Sequence, residues 1–386
     1  MREFALEAFF SRQQGDVRHQ MTASESETTP LADLLRMADE FDLRRWEALK
    51  FGYTDPHGAL WLRDAIAAHY RRIDAQQVLC FTGAQEAIFA AMQSLLEAGD
   101  HAVVVTPGYQ SAETVPLSRC AVSGIALDPE QGWGLDIDQL AAAIQPNTKL
   151  VSINFPNNPT GKILERDRFD ALVALCRRHG LWLFSDEVYR LIERDPAKRL
   201  PAVADVYERG ISLGGLSKSF GLPGLRLGWL ISRDADCMKA LRRAKAYLSI
   251  CNAAPCEVLA SVALKASDVI LSRNRRIAEQ NLAHLGQFFD EHADLFEWRP
   301  PDGAVVAFPR YLGADGVDAF CDRLITHHGV LLMPARIFHS ELTAVPAEHF
   351  RIGFGRRDFV PGLAALAAAL RTTEPSFRMG QRGLGR

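Results

Sequence analysis

Hydrophobic and polar residues alternate along the middle of the chain in blocks that predict strands and helices in turn. Uninterrupted short apolar runs predict strands buried on both faces, and they occupy residues 78–82, 102–106, 150–155, 181–185, 211–214 and 227–232. Segments with helical spacing separate most of these runs, among them 84–97, 137–144 and 166–179. This alternation is typical of a mostly parallel sheet with helices on both faces. We therefore predict a three-layer α/β fold.

The pattern changes on both sides of this central block. An amphipathic opening leads to a polar stretch at 21–30, predicted as a loop, and a helix is predicted to begin near Leu31. The chain becomes helical from residue 234, including 281–292. After residue 303 short strands (304–308, 330–333, 350–354) mix with helices (317–327, 362–371). We predict a large domain at 46–280, a smaller α+β domain from 1–45 and 281–373, and a flexible tail at 374–386.

Composition narrows the class of protein. Of the 386 residues, 48% are hydrophobic and 24% charged, and the formal net charge is −3, values typical of an ordinary globular protein without a global basic surface for nucleic acid. Acidic residues near the start argue against a signal peptide, and no run approaches the ~20 apolar residues of a membrane helix. The seven cysteines are scattered without the spacing of a zinc site. We expect a cytoplasmic protein with free thiols, no metal, and no nucleic-acid or membrane partner.

The segment 213–229 carries the strongest chemical signal. Lys218 follows an apolar strand, Arg226 comes eight residues later, and Gly221, Gly224 and Gly228 lie around them. Two cationic side chains brought together by a glycine-rich turn are consistent with a site in which one reacts with a carbonyl group and the other binds a phosphate. The spacing of a nucleotide-binding P-loop is absent.

Two further motifs lie at predicted strand ends. Asn158 belongs to Asn-Asn-Pro-Thr-Gly, which read alone is a simple turn. Asp186 belongs to Ser-Asp-Glu-Val-Tyr, where an acid is either a helix cap or a ligand-binding group. Open α/β sheets bind ligands at the carboxyl ends of their strands, so the motif alone leaves both interpretations of Asp186 open.

Taken in order, these motifs resemble those of the class I/II aminotransferases, enzymes of fold type I that depend on pyridoxal 5′-phosphate (PLP). The resemblance spans about residues 53–351. It implies that Lys218 forms a Schiff base with PLP and acts as the base for the α-proton, and that Asp186 pairs with the pyridine nitrogen. It also implies that Tyr189 and Asn158 hydrogen-bond the 3-oxygen of the ring and that Tyr109 stacks on it.

The same resemblance assigns the two anionic ends of the reactants. Arg226, Ser217 and the backbone amides of Ala84 and Gln85 would bind the phosphate, and Arg351 would bind the α-carboxylate of the substrate. Tyr53 resembles a tyrosine that reaches the phosphate of a neighbouring subunit, which implies a homodimer with shared active sites.

Three departures from the family pattern concern the pocket. Gly215 and Ala84 stand where hydroxyl residues are usual, and Thr82 is a possible substitute. The segment 23–27, which includes Ser24, is polar and acidic in a region that usually lines the substrate pocket. It predicts either a cationic or polar substrate side chain or a solvated surface loop.

The leading hypothesis is an aminotransferase that exchanges an amino group between an amino acid and a 2-oxo acid. The alternative keeps PLP but makes the enzyme a lyase or cyclase acting on an amino-acid side chain, since the chain is also similar to capreomycidine synthase, which cyclises a hydroxylated arginine. A transcription regulator built on this fold would need a DNA-binding module, and the first 52 residues lack a clear basic helix-turn-helix pattern.

Overall fold

A computed structural model of the chain describes residues 1–13 and 17–372, so the predicted tail at 374–386 lies outside the described residues. The strands are β1 (His19–Gln20), β2 (Val78–Phe81), β3 (His101–Thr106), β4 (Ala121–Ala126), β5 (Thr148–Asn154), β6 (Trp182–Asp186), β7 (Gly210–Gly215), β8 (Gly228–Ser232), β9 (Phe296–Glu297), β10 (Val306–Ala307), β11 (Arg310–Tyr311), β12 (Val330–Leu331), β13 (Met333–Pro334) and β14 (Phe350–Gly353). The helices are α1 (Ala5–Arg12), α2 (Leu31–Leu35), α3 (Glu40–Glu47), α4 (Leu60–Ala67), α5 (Ala84–Leu95), α6 (Ser111–Leu117), α7 (Ile137–Ala143), α8 (Arg166–His179), α9 (Val203–Val206), α10 (Ala235–Ala246), α11 (Ala254–Lys265), α12 (Ser267–Glu291), α13 (Val317–Arg323) and α14 (Phe359–Thr372).

The main sheet has seven strands in the order β2-β8-β7-β6-β5-β3-β4. Only β8 runs against its neighbours β2 and β7, and the other pairs are parallel. The predicted α/β fold with a mostly parallel sheet is therefore confirmed. Because β5, β6 and β7 are parallel neighbours, their carboxyl ends lie at one edge of the sheet.

Alternate residues of the central strands pack into different cores, as a sheet covered on both faces requires. Ala102 and Leu150 join the core that includes the buried face of α5, whereas their neighbours Val103 and Val151 join the core that includes α7 and α8. A third core lies around β2, β8, α4 and α11. The continuous apolar runs in the sequence follow from this two-sided burial.

Strand β4 is missing from the sequence-based prediction. It forms the edge of the sheet beside β3, and most of its residues are only partly buried. An edge strand does not need an uninterrupted apolar run, and the sequence Ala-Val-Ser-Gly-Ile-Ala has none.

The carboxyl-terminal part contains small sheets, as the mixed pattern predicts. Strand β14 lies between β10 and β13, β9 pairs with β11, and β1 pairs with β12. The predicted strand at 304–308 is shorter, because Ala304 has a positive φ of 59° and only Val306–Ala307 pair. The predicted helix at 317–327 ends as α13 at Arg323 and continues as a π-helical turn over Leu324–His328.

The division into two domains stays a prediction, with the proposed boundary at residue 280 inside α12. Within residues 1–13 and 17–372, no helix is long and apolar enough to cross a membrane.

Candidate active site

A cavity of about 430 Å³ opens at the carboxyl ends of β5, β6 and β7. Asn154 and Asp186 line it from the last positions of β5 and β6, and Gly215 lines it from the last position of β7. The cavity therefore lies where an open α/β sheet places its ligand-binding groups. The motifs around Asn158, Asp186 and Lys218 meet here, although they are far apart in the sequence.

Lys218 lies just beyond β7 and reaches the cavity with its ammonium group. Its Nζ donates a hydrogen bond to Ser24 Oγ over 2.7 Å. Burial lowers the pKa of Lys218 to about 8, while the carboxylate of Glu25 partly opposes this shift. A lysine with this pKa has a far larger neutral fraction near physiological pH than an ordinary lysine, and the neutral amine is the nucleophilic and basic form.

Asp186 is a buried carboxylate at the last position of β6, and it lines the same cavity. Its Oδ1 accepts a hydrogen bond from the amide of Val188 at 3.2 Å. Among the described residues it forms no salt bridge, and burial raises its pKa to about 6. A carboxylate in this position is suited to pair with a cationic group of a bound molecule.

Arg351 is 1% exposed and lies on β14. One Nη donates to Asn158 Oδ1 at 3.0 Å, the other donates to the carbonyl oxygen of Thr22 at 2.8 Å, and Nε has no partner in the described part of the chain. No described carboxylate forms a salt bridge with it, and burial lowers the pKa of Arg351 although the more distant Glu25 carboxylate partly opposes this shift. Such a charge is costly unless a bound anion supplies the missing partner.

Arg226 and the first turn of α5 form the anion-binding end of the cavity. Gly83 precedes α5 with a φ of 89° and caps it with no side chain, and a Cβ there would lie 2.6 Å from Arg226 Nη2. A Cβ on Gly228 would lie 2.7 Å from the amide nitrogen of Ala84. Glycine at both positions lets the guanidinium and the uncapped helix amides approach one another, and both attract phosphate.

The departures from the family pattern occur at this end. Gly215 and Ala84 both line the cavity, and a Cβ built on Gly215 would lie 3.9 Å from that of Ala84. Thr82 is exposed and does not line the cavity, so the suggestion that it supplies the missing hydroxyl is wrong. Ser217 lines the cavity beside Lys218, and its role in phosphate binding stays a prediction.

The polar segment at 22–25 forms one wall of the cavity. Thr22 and Ala23 are buried, Ser24 and Glu25 are partly buried, and all four line the cavity. The alternative of a solvated surface loop is therefore wrong for this part of the segment. The Ser24 carbonyl oxygen accepts a hydrogen bond from the hydroxyl of Tyr189 over 2.8 Å.

Two predicted aromatic residues lie in different places. Tyr109 lines the cavity, where its ring packs edge-on against Phe4 with centroids 5.5 Å apart. Tyr53 does not line the cavity and is 89% exposed, so this chain alone does not bring it to the site.

Sequence reasoning missed the contribution of α1. Leu6, Glu7 and Phe10 line the cavity from this helix, and Gln20 lines it from β1. The helix is recognisable from its amphipathic pattern, but no sequence motif indicates that it lies beside Asp186 and Lys218, more than 150 positions later in the chain. Ile88 of α5 adds an apolar side chain to the same cavity.

Comparison with known proteins agrees with this geometry. Residues 47–358 match the family model "Aminotransferase class I and II". The chain is 32% identical to capreomycidine synthase of Streptomyces vinaceus (83% of this chain, 81% of that protein) and 33% identical to arginine–pyruvate transaminase of Pseudomonas aeruginosa (78% and 77%). The crystal structure of a PLP-dependent aminotransferase from Streptococcus suis superposes with a TM-score of 0.89 at 29% identity, covering 96% of this chain and 98% of that one.

The chain therefore belongs to the class I and II aminotransferase family and is an enzyme of fold type I whose cofactor is PLP. The described residues fit this cofactor: the cavity has a lysine of lowered pKa, an unpaired buried carboxylate, and an arginine at an uncapped helix start. These three features match the aldehyde, the ring nitrogen and the phosphate of PLP.

Proposed function

We propose that the protein is an aminotransferase that exchanges an amino group between an amino acid and a 2-oxo acid. The observation that carries the proposal is the position of the Lys218 ammonium in one cavity with the buried charges of Asp186 and Arg351, which form no salt bridge with any described residue. One cavity thus offers a base, a partner for the cofactor ring and a partner for the substrate carboxylate.

Lys218 is proposed to move the α-proton of the substrate. When bound, PLP supplies the electron sink that stabilises the resulting carbanion, and Asp186 keeps the sink effective by holding the ring nitrogen protonated. The lowered pKa of Lys218, about 8, supports this role because a base works best with a pKa near the working pH. Ser24 would orient the Lys218 amine through its hydroxyl group and the Tyr189 phenol through its carbonyl oxygen.

Arg351 is proposed to bind the substrate α-carboxylate as a bidentate partner. Its Nε is unsatisfied, and Asn158 and Thr22 already orient the guanidinium. A carboxylate that arrives here gains two charge-assisted hydrogen bonds and relieves the isolated buried charge. Asn158 thereby links the carboxylate end of the site to the cofactor ring.

The phosphate end is proposed to involve Arg226, Ser217 and the amides of Ala84 and Gln85. The missing hydroxyl groups at Gly215 and Ala84 leave more of the binding to the guanidinium and the helix amides. This arrangement needs no metal ion.

A homodimer is proposed to complete the site. Tyr53 and the neighbouring Phe51 are 89% and 90% exposed, and Tyr247 is 89% exposed. The two segments are adjacent, since Thr54 Oγ1 donates to the carbonyl oxygen of Asn252 over 2.9 Å. Aromatic residues of this size are rarely left in water on such a surface, which supports an interface through which Tyr53 reaches the partner's phosphate. The seven free cysteines support the expected cytoplasmic location.

A lyase or cyclase reaction on the substrate side chain is the second candidate. It is favoured by the similarity to capreomycidine synthase. The chain is 32% identical to that protein and 33% identical to the arginine–pyruvate transaminase, so identity does not favour one reaction over the other. Both outcomes share the same proton abstraction, and they differ in what happens at the substrate β-carbon.

A half-reaction experiment distinguishes the two candidates. Individual amino acids are added to the PLP-loaded enzyme without a 2-oxo acid, and the visible spectrum and products are followed. Aminotransfer is supported by conversion of PLP to pyridoxamine phosphate with stoichiometric release of a 2-oxo acid. Release of ammonia or a cyclic product with retention of PLP contradicts it and supports the second candidate.

A further inference from the structure

The charges that line the cavity are not all used by the proposed function. Of the residues that the structure describes, six charged side chains line it: Glu7, Glu25, Asp186, Lys218, Arg226 and Arg351. Cofactor and α-carboxylate binding account for all three cations and for Asp186. The two groups that remain, Glu7 and Glu25, are both carboxylates.

Glu25 lies close to the reaction centre. It is next to Ser24, the hydrogen-bond partner of Lys218, and its Oε2 accepts a hydrogen bond from the Ser24 amide at 3.1 Å. Its nearest described cation is Arg356, 3.7 Å away, whose other nitrogen donates to Asp358 at 3.0 Å. Arg356 is therefore shared with Asp358, while the Glu25 carboxylate also acts at longer range on the charges of Lys218 and Arg351.

Glu7 lies at the exposed mouth of the same cavity, on α1. This helix is fixed by the bond from the Ala5 amide to Gln110 Oε1 at 2.9 Å and by the contact of Phe4 with Tyr109. Its neighbours Leu6 and Phe10 give the cavity an apolar wall. A substrate with an aliphatic side chain could pack against this wall, and the far end of that side chain would then lie near the carboxylates of Glu7 and Glu25.

Thr22 adds an independent observation. The residue is fully buried, lines the cavity, and its Oγ1 has no hydrogen-bond partner within the described residues. An unsatisfied buried hydroxyl beside a cavity is suited to form a hydrogen bond with a polar group of a bound molecule.

We propose that the substrate is an amino acid whose side chain is an aliphatic stem ending in a cation, a guanidinium or an ammonium, with Glu25 and Glu7 as its counter-charges. An acidic side chain is disfavoured, because no lining cation of the described chain remains for a second carboxylate and two negative charges would face it. This inference rests on the proposed function only for the place of the α-carboxylate at Arg351.

Binding of unreactive analogues tests the inference apart from catalysis. The PLP-loaded enzyme is titrated in a calorimeter with 5-guanidinopentanoate, 5-ureidopentanoate and adipate, which have similar lengths, lack an α-amino group, and end in a cation, a neutral group and an anion. The guanidino compound should bind at least about tenfold more tightly than either of the others, as a charge-assisted bond to a carboxylate implies.

Substitutions at Glu25 and Glu7 test whether these two carboxylates cause the preference for the guanidino compound. Glu25→Gln and Glu7→Gln should each reduce the ratio of guanidino to ureido affinity, while Glu3→Gln, an exposed acid just before α1 that does not line the cavity, should leave it unchanged. The visible spectrum of each variant confirms that PLP is retained. Equal binding of the three compounds, or a preference that persists in both cavity variants, overturns the inference.

The two proposals fail in different ways. Selective binding of the guanidino compound without formation of pyridoxamine phosphate from any amino acid supports the substrate class and contradicts aminotransfer. Equal conversion of cationic, neutral and acidic amino acids, with equal binding of the analogues, supports aminotransfer and contradicts the substrate class.

Discussion

Lys218 and Ser24 are joined by a hydrogen bond of 2.7 Å between Nζ and Oγ, although they are 194 residues apart in the sequence. The carbonyl oxygen of Ser24 also accepts the hydroxyl of Tyr189 at 2.8 Å. Ser24 therefore links the amino-terminal segment to two residues proposed to act on the substrate and cofactor. Folding of this segment against β14 and the loop that follows β7 thus helps to assemble the site.

Replacing Ser24 with alanine should lower kcat by about tenfold to a hundredfold, because a hydrogen bond to a charged group contributes roughly 1.5–3 kcal/mol and Lys218 loses the partner that orients it. Steady-state kinetics with the amino acid identified in the half-reaction experiment measure the effect. The melting temperature should change little, since Ser24 is only partly buried.

The matched control is Ser26→Ala in the same segment. Ser26 is fully buried but does not line the cavity, and its Oγ has no hydrogen-bond partner among the described residues. Its replacement should leave kcat within about twofold of the parent enzyme. Equal kcat values for the two variants and the parent would remove Ser24 from the site.

Cofactor uptake should report the lowered pKa of Lys218. After removal of PLP, the rate at which added PLP becomes covalently bound should rise with pH and level off above about pH 8, because the neutral amine is the nucleophile. An ordinary lysine would continue to gain reactivity up to about pH 10. The visible absorbance of the bound cofactor measures the rate.

Two lysine variants control this experiment. Lys218→Ala should bind no PLP covalently at any pH, while replacement of the exposed Lys149 by alanine should leave the profile unchanged. A rate that rises without levelling near pH 8 contradicts the lowered pKa. Covalent binding in the Lys218 variant contradicts the assignment of the lysine.

Asp186 should make the cofactor-free protein less stable as the pH rises from about 4 to about 6. Its folded-state pKa, about 6, is above the unfolded value because burial disfavours the carboxylate, so the folded state binds the proton more tightly. Stability is therefore highest below the unfolded pKa and declines through the folded one, by up to about 3 kcal/mol. Urea unfolding at a series of pH values measures the decline.

Asp186→Asn removes this contribution and should be more stable than the parent protein at pH 7 when both lack PLP. Part of the decline will persist in the variant, because burial also raises the pKa of the neighbouring Glu187 to about 7. With PLP and substrate present, the variant should lose at least about a hundredfold in kcat, since the ring nitrogen loses its anionic partner. A variant with unchanged kcat would contradict the pairing.

The sequence predicted the parts of the fold and site that depend on local pattern. The apolar runs predicted the parallel strands, and the ends of those strands bring Asn154, Asp186 and Gly215 to one edge of the sheet. The strand pattern alone therefore predicts that the three motifs lie close together. Lys218 and Arg226 were recognisable because glycines around them leave space for a ligand.

Other parts depend on long-range packing that no local pattern carries. Glu7 lines the cavity because α1 is fixed there by the packing of Phe4 on Tyr109 and by the hydrogen bond from the Ala5 amide to Gln110. The carbonyl oxygen of Thr22 accepts a hydrogen bond from Arg351, a residue 329 positions later in the sequence. Strand β4 was missed because an edge strand is not buried on both faces. Such features become visible only when the chain is folded.

Tyr53 offers a test of a site shared between subunits. We expect Tyr53→Ala to lower the affinity for PLP and Lys218→Ala to abolish activity, each when purified alone. If Tyr53 serves the partner's phosphate, unfolding and refolding a mixture of the two variants will form heterodimers. One site of each heterodimer then has both Lys218 and Tyr53 intact.

At equal amounts of the two chains, half of the dimers are then heterodimers with one intact site. The refolded mixture should regain about a quarter of the parent activity per chain under PLP concentrations at which the Tyr53 variant alone is largely inactive. Sedimentation at each step measures the dimer, and refolding each variant separately is the control. A mixture no more active than the sum of its parts, or a fully active monomer, would show that Tyr53 does not act across an interface.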